Sequence, residues 1–261
     1  MAELDAQIRP LKASDDKLVR FTIGKASMES LAVANRRAYV HSLTMAAWLL
    51  LSYIIIGYLD LWPTYRYGIF GYSQPIPVLA ASSVPIMILI DWLNRPGFEQ
   101  LVQDLLRGPD MRDIHEYYSR SPASGFYICE FGGLFVGMIA LDATPEPLLD
   151  TSSPASIDAK QKSPFKEASS TAIIRHLFVD EVYRSTGIQN DLLSHALGVA
   201  FEANPVLHVV KASYSPLIPY VYRCLRDASF VLEENTHKVG IFGWQLGMMG
   251  LMRSDWEKKN E

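Results

Sequence analysis

The sequence predicts an α/β fold, a mixed sheet with helices, interrupted by a hydrophobic helical hairpin. Three observations point there. Residues 172–180 are β-branched and apolar, and after a turn with one glycine Ile188, Leu192, Leu193, Ala196, Val199 and Ala200 repeat at helical spacing. Residues 126–130 and 134–141 read as strands, and Gly132-Gly133 between them suits a tight antiparallel turn. Residues 43–59 and 76–90 are two neighbouring apolar runs, hard to cover within a domain of this size.

Composition narrows the function classes. The 261 residues carry a net charge of −4, which argues against a nucleic-acid binder held by a basic surface. Cys129 and Cys224 lie far apart and read as buried thiols in a reducing compartment. The six histidines show no metal-ligand spacing, so no metal is expected. The N-terminus is polar and acidic, unlike a cleavable signal.

In chain order, residues 6–11 form a short first strand ending near Pro10, which cannot donate to a ladder. Ser14 has the chemistry of a helix cap, with Asp15 and Asp16 in the first turn of a helix running towards Ser30 and breakable at Gly24. The run 43–59 just reaches the length of a bilayer crossing, with Trp48, Trp62, Tyr65 and Tyr67 of interfacial type. The run 76–90 is shorter and contains Pro77 and Pro85, so the hairpin is either transmembrane or re-entrant. Arg36 and Arg37 precede it and Arg95 follows it, while only Arg66 lies in the connecting loop. That bias keeps both ends in the cytosol.

Residues 99–107 and 111–118 read as two helices split by Gly108-Pro109, with Asp110 capping the second. The Pro- and Ser-rich residues 143–170 read as a surface loop. Residues 207–212 form a further strand, 217–225 a helix, and 230–233 and 239–244 closing strands. Residues 245–261 read as an amphipathic tail able to lie on a membrane. The divisions are 1–40 (first strand and helix), 41–95 (hairpin), 96–244 (core) and 245–261 (tail).

Arg184-Ser185-Thr186-Gly187-Ile188-Gln189 is where chemistry is expected. A strand that turns into a helix aims bare N–H groups and the positive helix dipole at one point, which suits phosphate. Gly187 allows close approach of an anion. This stretch resembles the acyl-CoA motif of the GCN5-related N-acetyltransferase (GNAT) superfamily, Arg/Gln-x-x-Gly-x-Gly/Ala. Arg184 and Gly187 fit it, while Gln189 stands where Gly or Ala is expected. Residues 176–180, 7–10, 110–114 and 137–138 resemble the membrane-tethered N-acetyltransferase-8 type.

The resemblance implies a GNAT-like sheet whose two central strands splay apart, with acetyl-CoA as cofactor and a primary amine of a small molecule or protein as acceptor. Phe178 and Val179 would bond the pantetheine arm through their main chain, and Arg184, Ser185, Thr186, Gly187, Ile188 and Gln189 would hold the diphosphate. An intracellular membrane such as the endoplasmic reticulum, with the catalytic body cytosolic, is implied as well. Membrane lipid is an expected partner, and a membrane-protein partner or a second copy is expected through the hairpin.

Acetyl transfer to an amine needs a base and an acid for the departing thiolate. Tyr222 is taken as the acid, because 222–225 resembles the superfamily's Leu-Tyr-x-x-Leu-Gly-Phe, with Ser229-Phe230 in place of Gly-Phe; Tyr220 can fill the slot instead. His176 is taken as the base, placed by strand alternation on the face opposite Arg175, Leu177 and Val179. Glu130, Asp142 and Asp180 are weaker candidates. Gln189 keeps a second reading open, a GNAT-shaped membrane protein without catalysis that serves as an assembly factor or complex subunit.

Overall fold

The computed structural model describes residues 6–65, 68–144 and 169–260. The expected loop 143–170 lies almost wholly outside them, as does Arg66. The described residues divide into two compact units. One holds the residues up to Ile23, Leu106–His237 and those from Gln245 on; the other holds Gly24–Leu105 and Lys238–Trp244.

The first unit is built on a seven-stranded mixed sheet in the order β1-β2-β3-β4-β5-β7-β6. Its strands are β1 (Ala6–Pro10), β2 (Gly125–Phe131), β3 (Leu134–Asp142), β4 (Thr171–Val179), β5 (Val209–Tyr214), β6 (Val231–Val239) and β7 (Trp244–Met252). β1 to β4 pair antiparallel, β4 and β5 pair in parallel, and β7 runs antiparallel to β5. Gly132 (φ 58°) and Gly133 (φ 79°) form the left-handed turn that joins β2 to β3. The parallel step needs a crossover, supplied by α6 (Ile188–Ala203). Leu192, Leu193, Ala196, Leu197 and Ala200 of α6 bury one face against Val136, Ile139, Ile174 and Val210 of the sheet. α5 (Ile114–Tyr118), α7 (Pro219–Asp227) and α8 (Arg253–Asn260) complete this unit.

The second unit is helical. α1 (Asp16–Tyr39) and α4 (Ile76–Arg107) contribute to both units, while α2 (Ser42–Tyr58) and the short α3 (Ile69–Tyr72) belong to the second. Trp48 Nε1 donates to the Leu79 carbonyl at 3.0 Å, and the buried Ser52 and Ser82 hydroxyls are 2.7 Å apart, so polar contacts tie α2 to α4. Asn35 donates to Asp91, and Asn94 donates to Asn35, each at 2.8 Å. The Asn94 oxygen accepts from the Ile241 amide at 2.9 Å. Leu49, Leu50, Ile54, Ile88, Leu89 and Trp92 stay exposed on α2 and α4. The helical stretch Phe70–Arg107 is long and apolar enough to cross a membrane, and 17% of its most apolar window is buried.

Five local expectations change. Ser14 is not the cap: Ala13–Asp15 forms a 3₁₀ turn, because Arg9 (2.7 Å) and the Lys12 amide (3.0 Å) draw the Asp15 carboxylate back towards β1. α1 passes Gly24 unbroken to Tyr39. α4 runs without a break through Pro85 and Pro96, so the residues read as a second helix (99–107) are its last turns, and residue 95 is not an element boundary. Asp113 caps α5, accepting from the Glu116 amide at 2.9 Å, whereas Asp110 is buried. Residues 239–244 are the end of β6 and its turn; the supposed tail begins as β7, where Met249 and Leu251 join the core beside β5. Pairing with β5 buries Met249 and Leu251, which an exposed tail would leave in water.

Candidate active site

The site begins where β4 and β5 part. Thr171, Ala172, Ile173 and Ile174 pair in parallel with Val209, Val210, Lys211 and Ala212, and pairing stops there. β5 continues only against β7, through Ser213–Met248 and Tyr214–Gly247. β4 continues only against β3, and its register shifts: Leu141 faces Ile174 while Ala140 faces His176, leaving Arg175 as an extra residue. Such a bulge bends its strand and adds twist, which accounts for the divergence at that point. Gly137 on β3 sits where a Cβ would lie 2.8 Å from the Phe178 carbonyl, so a side chain there would lift β4 from its place.

Beyond the gap, the Asp180 side chain caps the 3₁₀ turn Glu181–Tyr183. Arg184 Nε donates to the Val179 carbonyl at 2.9 Å, which fixes the chain's exit from β4. Gly187 takes a left-handed conformation (φ 88°) as the first boundary residue of α6. No side chain caps this helix, and a Cβ added to Gly187 would meet nothing within 4 Å. The amides of Ser185, Gly187, Ile188 and Gln189 donate to no group among the described residues. These amides lie at and just before the positive end of α6, and uncommitted donors there are the physical form of an anion site.

Gln189 does not fill that space. Its Nε2 turns back to the Arg184 carbonyl at 3.1 Å, and its buried Oε1 has no partner among the described residues. The Cys224 thiol donates to the Gln189 carbonyl at 3.4 Å, and burial pushes that thiol up to about 12. Neither Cys224 nor the likewise buried Cys129 has the character of a nucleophile.

His176 lies at the bulge, and here strand alternation misleads. Because Arg175 is the extra residue, the two are not on opposite faces: Arg175 reaches Tyr117 of α5, and His176 reaches Asp110, which Tyr118 of α5 also meets. His176 Nε2 is 2.9 Å from Asp110 Oδ2, with the two side chains 8% and 5% exposed. Asp110 also accepts from the Tyr118 hydroxyl at 3.0 Å. Next to this pair, Arg175 Nε donates to Asp142 at 2.7 Å and Tyr117 donates to Asp142 at 2.8 Å. Burial pushes the Asp110 and Asp142 carboxyls up. It is outweighed by His176, Arg175 and Tyr118 at Asp110, and by Thr144 and Arg175 at Asp142, so both lie below the ordinary carboxylate range. Burial beside these anions drives the Tyr117 and Tyr118 phenols upward.

This network was only partly legible. The sequence offers Asp142 and His176 as isolated candidates and Asp110 as a cap. Nothing in the sequence joins residues 66 positions apart. Of the other carboxylates considered, Glu130 is paired with Arg9 at 2.6 Å on the β1–β2 side, and Asp180 serves the 3₁₀ turn.

Three tyrosines stand at the open end of the gap. Tyr222 on α7 packs its ring 5.0 Å from that of Tyr214, at the end of β5. The Tyr220 hydroxyl accepts from the Val179 amide at 3.4 Å, and the Arg184 guanidinium lies 4.2 Å from the Tyr220 ring. Ser229 takes the left-handed conformation (φ 71°) and the Phe230 amide returns to the Leu225 carbonyl, so Ser229 occupies the place of a glycine after the helix. Counted back from it, the tyrosine of the expected signature falls on Leu225, which is fully buried. Tyr222 is one turn earlier and half-buried.

Residues 89–220, half of the chain, match the family described as "Acetyltransferase (GNAT) family". No curated protein matches. Solved structures with a similar course include spermidine N-acetyltransferase from Vibrio cholerae in complex with CoA and spermine. It is 12% identical, with 97% of this chain and 98% of that chain covered and a TM-score of 0.45. A putative acetyltransferase from Salmonella typhimurium with acetyl-CoA is 14% identical, with 95% and 93% covered and a TM-score of 0.44. An aminoglycoside acetyltransferase with coenzyme A is 11% identical, with 98% and 100% covered and a TM-score of 0.45. The cofactor of the matched family is acetyl-CoA, and the residues present fit it: four uncommitted amides and an unobstructed Gly187 suit a diphosphate, and β4 beyond Ile174, where β5 no longer pairs with it, suits an extended arm. With its matched half spanning the parted strands and the amide-lined turn between them, the chain belongs to the acetyltransferase (GNAT) family.

Proposed function

We propose that this chain is a membrane-anchored N-acetyltransferase of the tethered N-acetyltransferase-8 type, moving acetyl from acetyl-CoA to a primary amine of a small molecule or protein. The observation that carries the reading is the gap between β4 and β5, with uncommitted amides of the α6 turn at one end and His176 at its inner edge. Acetyl-CoA supplies a thioester, an acyl group already activated for transfer. The amides of Ser185, Gly187, Ile188 and Gln189 hold the diphosphate, and the main chain of Phe178 and Val179 aligns the arm; for that alignment the Tyr220 hydroxyl yields its place on the Val179 amide. His176 takes the proton of the acceptor amine, and Tyr222 protonates the departing sulfur.

Calorimetry in detergent tests the core of this reading. Saturable micromolar binding of acetyl-CoA is expected, and Gly187→Asp, which puts a carboxylate against the diphosphate, abolishes it. A folded wild-type protein that takes up no acetyl-CoA would instead favour the non-catalytic subunit. A thiol-release screen across amine classes then identifies the acceptor class.

Anchoring rests on the exposed apolar faces of α2 and α4, and on Arg36, Arg37 and Arg95 at the ends of the hairpin. In this reading the sheet-bearing unit faces the cytosol at an intracellular membrane such as the endoplasmic reticulum, and the hairpin meets lipid or a membrane partner. Co-flotation with liposomes that withstands alkaline carbonate is the expected result. Release by carbonate would remove the anchor from the proposal.

A further inference from the structure

We infer that Asp110 is the positioning residue of the acyl transfer: its carboxylate holds His176 in the tautomer that leaves Nδ1 as the proton acceptor. This inference rests on the reading of His176 as the base. The geometry comes first. His176 Nε2 and Asp110 Oδ2 are 2.9 Å apart between two nearly buried side chains. The neighbouring cation does not compete for Asp110 by hydrogen bond, because Arg175 spends its Nε on Asp142 and a terminal nitrogen on the Tyr117 hydroxyl. The Tyr118 hydroxyl donates to Asp110 as well, so the carboxylate accepts from two sides and stays ionised. An ionised carboxylate can only accept, so Nε2 must carry the hydrogen. Nδ1 then bears the lone pair. It has no partner among the described residues and is not sealed from solvent.

The position matters as much as the pairing. His176 is the first residue after the bulge, where β4 has left β5. A ring free to rotate there would present either nitrogen, or neither, to the gap. The Asp110 carboxylate fixes the ring's direction from a separate 3₁₀ turn (Pro109–Met111), itself adjoining α5. In the transfer the acceptor amine loses one proton to Nδ1 while its nitrogen pair forms the bond to the acyl carbon; the carbon–sulfur bond of the thioester breaks, its electron pair leaving with the sulfur, which takes its proton from Tyr222. The resulting imidazolium sits beside the Asp110 anion, which keeps its charge, and the proton leaves to water. The charged and titratable groups facing this ring are Asp110 on the 3₁₀ turn, Tyr117 and Tyr118 on α5, Asp142 at the end of β3 and Arg175 on β4 itself.

A purely structural fastening predicts lost stability and nothing else, so the test reads the ring. With ¹⁵N-histidine label in the full chain in detergent micelles, and His176→Gln to assign the signals, the wild-type ring is expected as the Nε2–H tautomer. Asp110→Asn loses that preference, because an amide can donate as well as accept. A wild-type ring protonated at Nδ1, or an unchanged ring in Asp110→Asn, overturns the inference. In steady state, with the primary amine that turns over in the thiol-release screen, Asp110→Asn is expected to lower kcat about 100-fold with KM for acetyl-CoA unchanged.

If Asp110→Asn does not fold, Tyr118→Phe reads the same device: Asp110 loses one donor but keeps His176, so the ring is expected to stay the Nε2–H tautomer, and a ring protonated at Nδ1 in that variant overturns the inference. Should His176→Gln keep kcat within about threefold, where a general base is worth 100-fold or more, the base assignment falls and this inference with it. If His176→Gln is inactive while Asp110→Asn is not, only the role of Asp110 falls.

Discussion

Gly187 and Tyr222 show how differently single residues can be read. Gly187 is needed for two reasons that coincide: a left-handed backbone and the absence of a side chain on the open side of the turn. Tyr222 rests on position alone, since the glycine-like Ser229 puts the signature's own slot on buried Leu225. If the Tyr222 hydroxyl protonates the departing sulfur, Tyr222→Phe lowers kcat by about 100-fold near neutrality. The defect narrows above about pH 8.5, where a thiolate of ordinary acidity leaves without help. The competing assignment predicts that Tyr220→Phe carries this pH-dependent loss and that Tyr222→Phe stays within a few-fold of wild type. Steady-state profiles of both variants decide between them.

At the scale of elements, the site exists because β4 is held tightly on one edge and released on the other. The bulge at Arg175 turns the strand, Gly137 lets β3 follow it closely, and Leu192 of α6 and Val179 of β4 itself close on that glycine. Gly137→Ala would place a methyl 2.8 Å from the Phe178 carbonyl and 3.1 Å from Leu192 and Val179. Backbone is on one side and packed core on the other, so little can yield. A loss of about 1–3 kcal/mol is expected, read as a lower unfolding midpoint in denaturant together with weaker acetyl-CoA binding. Unchanged stability and unchanged binding would mean that β3 and β4 are less tightly coupled than their register implies.

For the molecule as a whole, acid should be the first stress to fail it. Asp110, Asp142, Asp15 and Glu130 all ionise at lower pH when folded. At Asp15 the Arg9 hydrogen bond and the Lys12 amide outweigh burial, and at Glu130 the Arg9 hydrogen bond leads. A carboxyl depressed in the folded state stabilises above its unfolded value, about 4, and that contribution disappears as pH falls through the folded values. Thermal midpoints should therefore be flat from neutrality to about pH 5 and drop steeply below 4; a midpoint that rises on acidification would contradict these pairings. What the sequence determined by itself was whatever depends on neighbours in the chain. The strand–turn–helix around Gly187, the Gly132-Gly133 hairpin and the two apolar runs are set by local backbone preference and hydrophobic period, and the structure keeps them. What only the tertiary structure decided was whatever depends on distant partners. The local chemistry of Asp110 suits a cap, yet its carboxylate meets His176 across 66 residues; the pattern of the chain end suits a tail, yet β7 pairs with β5 in the sheet. The bulge that sets Arg175 and His176 side by side comes from the register between β3 and β4, and a strand's own period of two carries no trace of a residue its partner leaves unpaired.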